Sequence, residues 1–117
     1  MVTIDILYKG NLHCQAIHGP SGREIETDAP VDNRGKGESF SPSDLLASAT
    51  GICGMTIMGI VAMDEGINIK GSKVRVEKFM SSDLPRRVVQ LNVIFDMVEG
   101  IPKIKELSWR HLSKIAL

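Results

Sequence analysis

Ser41-Pro42-Ser43-Asp44-Leu45-Leu46-Ala47-Ser48-Ala49-Thr50-Gly51-Ile52-Cys53 opens a segment with no charged residue from Leu45 to Met63 and a glycine at Gly66. Ser41 suits an N-cap, Pro42 suits the first helical position, and Asp44 puts a carboxylate in the first turn. Gly66 suits the left-handed residue that ends a helix. The segment therefore predicts one helix from Ser41 to about Glu65. Its uncharged length reaches the lower edge of a membrane span. Ser48, Thr50, Gly51, Gly54, Thr56 and Gly59 dilute its apolar character, however, and the flanking segments are amphipathic strands that need covering. A helix apolar all round is expected to be buried on all sides of a soluble core, with no membrane partner. One small sheet covers only one side of such a helix. The small residues Ala47, Ser48, Gly51, Gly54 and Gly59 leave room for a second backbone, so a two-fold homodimer is expected.

Working outward, Val2, Ile4, Ile6 and Tyr8 alternate with Thr3, Asp5 and Lys9, the pattern of a half-buried strand. A turn at Lys9-Gly10-Asn11 leads to a second strand with Leu12, Cys14 and Ala16. Gly19-Pro20-Ser21-Gly22 turns the chain into a third strand from Arg23 to Asp28. Pro30 to Phe40 reads as a polar, glycine-rich loop. After the helix, Ile67 to Met80 reads as a strand bent at Gly71-Ser72, and Ser81 to Pro85 as a turn. Arg87 to Val98 reads as a strand with Val89, Leu91, Val93, Phe95 and Met97 on one face. Beyond Gly100 and Pro102, Ile104, Leu107, Leu112 and Ile115 form the stripe of a last helix, flanked by Trp109 and Ala116. The order βββ-α-ββ-α is an α+β pattern, expected to form one domain over residues 1–117.

Composition narrows the function. With 117 residues, 43% of them hydrophobic, the chain has enough apolar content for one core, which excludes a disordered chain. Fourteen Lys and Arg balance fourteen Asp and Glu, and aromatic residues make up 4%, so no nucleic-acid partner is expected. No basic region followed by an apolar run opens the sequence, so a cytoplasmic protein is expected. His13, His18 and His111 are scattered without zinc-ligand spacing, and Gly35-Lys36-Gly37 lacks the spacing of a phosphate loop. Neither a metal nor a cofactor is expected.

Two cysteines, Cys14 and Cys53, are too few for a disulfide framework. Read from position, Cys53 is either a small core residue or a thiol activated by a nearby cation. Arg34 and Lys36, in the loop before the helix, are the candidate cations; the same loop also reads as an ordinary solvated turn.

The run from Gly35 through Phe40 and Ser41-Pro42-Ser43-Asp44 to Cys53, with Thr56 and Ile60-Val61-Ala62, resembles the signature of the OsmC/Ohr family. These are the osmotically inducible and organic-hydroperoxide-resistance proteins. The Gly19–Gly22 turn and the element order agree, so the resemblance covers essentially the whole chain. It implies an OsmC-like fold, an intertwined homodimer and sites at the interface. It also implies that Cys53 corresponds to the peroxidatic thiol, which attacks organic hydroperoxides and becomes a sulfenic acid. Arg34 lies within about one residue of the place where OsmC members carry an activating arginine. The family's second cysteine, on the last helix before a proline, has no counterpart in Trp109 to Lys114, so a short member lacking it is the expectation. The acid that active members place just after the helix-initiating proline is Ser43 here, with Asp44 one position later. Cys14 is left as either a buried strand residue or a resolving thiol, and His111 as either a base or a capping residue.

Two functions follow. In the first, Cys53 reduces a small hydrophobic hydroperoxide with Arg34 as cationic donor, and an external thiol reductant restores it. In the second, the dimer binds or senses a small hydrophobic molecule in a cavity lined by Phe40, Met55, Ile57 and Met58, residues that plain core packing would equally explain. A purely structural interaction module has no charge run, aromatic pair or ligand cluster to recommend it.

Overall fold

Residues 1–98 are described by the computed structural model, which places the chain in the α+β class. The expected C-terminal helix over residues 104–116, including Trp109 and His111, lies outside the described residues. The chain divides into two compact units, Met1–Leu45 and Leu46–Leu117.

The first unit is an antiparallel sheet of order β1-β2-β3, with β1 at Ile4–Gly10, β2 at His13–His18 and β3 at Glu24–Asp28. Its first turn is displaced from the expected position. Lys9 and Gly10 belong to β1, and Asn11 and Leu12 form the turn with φ of 53° and 63°. Positive φ at both central residues matches the right-handed twist of a tight hairpin, so Leu12 is drawn out of the strand its alternation suggested. The expected half-burial of β1 is also corrected. Ile4, Ile6, Leu7 and Tyr8 are all exposed on β1, an edge strand of the three-stranded sheet.

After β3 the chain folds back through a short 3-10 turn at Val31–Asn33. The amides of Asn33 and Gly35 donate to the Pro30 carbonyl, and the Gly37 amide donates to that of Ala29. A β-carbon at Gly35 would overlap the Ala29 carbonyl, so this return requires glycine there.

The helix α1 spans Pro42–Asp64, as the capping residues predict. Ser41 is 1% exposed; its Oγ accepts the Asp44 amide at 3.1 Å, while Asp44 Oδ2 accepts the Ser41 amide at 3.0 Å. This reciprocal pair satisfies two donors that a helix start leaves open. At the other end the Ile67 amide donates to Ala62 and the Gly66 amide to Met63, with Gly66 at φ 69°. That is a Schellman closure on the expected glycine.

Within the second unit, β4 at Lys73–Met80 pairs antiparallel with β5 at Val88–Asp96. Ile67 to Ser72, expected as strand, lies outside β4, because Gly71 at φ 93° breaks the extended backbone. Leu91, Val93 and Phe95 share the covered face as expected, but Val89 is exposed. Phe79 pairs with Gln90 and Met80 with Val88, so a bulge leaves Val89 without a partner and reverses the alternation beyond it.

The hairpin packs on one side of α1. A β-carbon at Gly51 would come within 2.6 Å of Val76 Cγ2, and one at Gly54 within 2.8 Å of Phe95 Cζ. α1 is long and apolar enough to cross a membrane, yet these glycines seat one of its faces directly on strands. Burial on all sides is not observed. Ala47, Gly51 and Ala62 are buried, while Leu46, Ile52, Ile60 and Met63 are exposed.

Candidate functional site

Cys53 is a free, half-buried thiol in the middle of α1. At 3.6 residues per turn it shares its face with Leu46, Ala49 and Ile60. Those three are exposed, Leu46 and Ile60 at 56% each. The opposite face carries Ala47, Gly51, Met58 and Ala62, on the side that receives the hairpin. The helix thus has a packed face of small residues and an open apolar face, and Cys53 belongs to the open one. An alkyl group beside this sulfur would meet hydrocarbon.

The other residues singled out from sequence are distributed over both units. Ile57 lies near Cys53 on the helix circumference, and Met55 and Met58 lie toward the hairpin side; all three are half-buried. Phe40, in the first unit, is exposed, and its carbonyl accepts the Asp28 amide at 3.1 Å. Arg34 is an exposed residue of the return loop. It ends the 3-10 turn in the left-handed conformation, φ 70°, which few side chains adopt. Cys14 is free and half-buried in β2, between Tyr8 on β1 and Thr27 on β3. Asp44 is engaged in the helix cap.

A second constellation has no spacing signal in the sequence. His13 and Asp28 are register partners on β2 and β3, and His13 Nε2 stands 3.1 Å from Asp28 Oδ1. The return loop adds Glu38, whose amide donates to Asp28 Oδ2 at 3.1 Å. Asp28 is 2% exposed. The Glu38 amide, and secondarily the His13 charge, hold its carboxyl below the usual aspartate range against the opposing effect of desolvation. Ligand atoms of His13, Asp28 and Glu38 all lie within 4.8 Å of one another. Strand pairing brings residues 13 and 28 together, a proximity no local pattern announces.

No family model and no curated protein matches the chain. Solved structures do match. A Psychrobacter arcticus protein described in terms of osmotic stress induction and a detoxification response is 42% identical, with a TM-score of 0.88 over 95% of this chain and 80% of that one. An organic hydroperoxide resistance protein OsmC from Legionella pneumophila is 15% identical, with a TM-score of 0.63 over 92% of this chain and 78% of that one. An OsmC-like protein from Vibrio cholerae is 12% identical, with a TM-score of 0.68 over 97% and 86%. The two remoter structures share the fold, and the first adds identity over nearly the whole length. On fold and sequence together, the chain belongs to the OsmC family.

Proposed function

We propose that this chain is a single-domain, cytoplasmic, OsmC-like thiol peroxidase that reduces small hydrophobic hydroperoxides through Cys53. The observation that carries this reading is the position of Cys53 on the open apolar face of α1, in a member of the OsmC family. The Cys53 thiolate attacks the distal peroxide oxygen, the O–O bond breaks, and the sulfur becomes a sulfenic acid. The alkoxide leaves and takes up a proton to become the alcohol. Arg34 is the proposed cationic donor to the departing oxygen. An external thiol then displaces water from the sulfenic acid, and a second external thiol releases Cys53 and leaves as the disulfide. This cycle needs no second protein cysteine. The two free thiols also suit a reducing compartment.

A second copy of the chain is proposed to close the open face of α1, where Leu46, Ile52, Ile60 and Met63 expose apolar surface. The expected state is a homodimer by sedimentation, with Ile60→Lys shifting it toward monomer while helical circular dichroism persists.

Turnover of cumene hydroperoxide with dithiothreitol is the direct test. Wild type should consume peroxide, Cys53→Ser should fall to background, about a thousandfold or more, and Cys14→Ser should retain activity. Absence of both turnover and a dimedone-trapped sulfenic acid in the wild type would overturn the reading. The same open apolar face supports a second reading, a binding protein for a small hydrophobic molecule. A ligand that raises the melting temperature equally in wild type and Cys53→Ser, without turnover, would establish that reading instead.

A further inference from the structure

We propose that His13, Asp28 and Glu38 form a three-ligand site for a divalent cation of the zinc class, tying the return loop to the β2–β3 edge of the sheet.

The site is assembled by backbone pairing. His13 and Asp28 stand directly opposite each other in the β2–β3 ladder, which puts their side chains on one face. The Asp28 amide donates to Phe40 and the Glu38 amide returns to Asp28 Oδ2, so the loop is anchored to this aspartate at two points. Those bonds leave Asp28 Oδ1 for another partner. Asp28 is 2% exposed, and Oδ1 makes no hydrogen bond. His13 Nε2 lies 3.1 Å away without hydrogen-bond geometry. A buried carboxylate oxygen without a donor is rare in folded proteins and calls for an ion or another group to meet it.

The donor set and its spacing suit that ion. Imidazole nitrogen and carboxylate oxygen are both zinc ligands, at about 2.0–2.2 Å from the metal. Donors at such distances lie roughly 3–4 Å apart around one cation. His13 and Asp28 are within that range already, and the three ligand atoms lie within 4.8 Å of one another. Glu38 is exposed, so a rotamer change closes the remaining gap without moving the backbone. Two carboxylates and a neutral imidazole match a double positive charge in a place where one carboxylate is already out of water. Three protein ligands with two of them partly open to solvent leave a coordination position for water. The site does not involve Cys53, so it stands whether or not the chain reduces peroxides.

The test is titration of the full, chelator-stripped chain with Zn(II) by calorimetry, and with Co(II) by visible absorption. One equivalent per chain is expected, with a cobalt spectrum lacking the near-ultraviolet thiolate band. His13→Gln and Glu38→Gln, both at solvent-accessible positions, should each weaken binding by about tenfold or more. Cys14→Ser and Cys53→Ser should leave it unchanged. Asp28→Asn disturbs the loop anchor as well, so the conclusion rests on the other two variants, with circular dichroism confirming their folds. Three outcomes would overturn the proposal: no stoichiometric binding at micromolar metal, binding that survives both glutamine variants, or binding that depends on a cysteine.

Discussion

The return loop of the first unit and the helix of the second are held in opposite ways. Around Asp28 the chain is fastened by directed polar contacts. A buried carboxylate accepts the Glu38 amide, Phe40 accepts the Asp28 amide, and a glycine at position 35 admits the Ala29 carbonyl. Along α1 the contacts are steric, with Gly51 and Gly54 cut away to admit Val76 and Phe95 while the opposite face is left apolar and open. The first kind of region specifies its conformation by itself. The second specifies only one of its two faces, and the unfilled face is where Cys53 stands.

The comparison breaks hardest at Gly35. Replacing it with alanine drives a β-carbon into the Ala29 backbone, which has no rotamer to yield, and should cost about 3 kcal/mol of stability in urea titration. Gly51→Val meets a side chain instead, Val76, whose branched β-carbon is stiff, and the expected loss is about 2 kcal/mol. At the start of α1, Ser41→Ala removes the oxygen that accepts the Asp44 amide, and thermal melts should show a loss of about 1 kcal/mol. Gly59 has open space where its β-carbon would go, so Gly59→Ala should raise stability by about 1 kcal/mol through helix propensity. A destabilised Gly59→Ala variant would instead place Gly59 against a second chain.

The smallest effect expected is a dependence on pH. The folded-state pKa of Asp28 is lowered, so its charge stabilises the fold above the ordinary aspartate pKa, and that contribution is lost as pH falls through the lower folded value. In the presence of a chelator, wild type should therefore lose stability on acidification below about pH 4. Asp28→Asn should show a shallower acid slope in the same melts.

Much of α1 was legible because its signals are local. Ser41, Pro42, Asp44 and Gly66 each act within one turn of their own position, and the helix begins and ends where they direct. Alternation was less reliable. It placed Leu12 in a strand that a tight turn claims, and it missed the bulge that turns Val89 outward. Both are consequences of strand pairing, which joins residues far apart in sequence. Cys53 was found through a local motif, whereas His13, Asp28 and Glu38 have no common spacing and meet only through β2–β3 pairing and the return of the loop.

Sequence by itself determined the α+β class, the caps of the central helix and the thiol in its middle. These follow from propensity and from hydrogen bonds between near neighbours. Tertiary structure decided which face of that helix is packed, which strand residues point outward, and that a histidine and a buried aspartate stand 3.1 Å apart. Those outcomes depend on side-chain volume and on cross-strand register, and neither is carried by a run of adjacent residues.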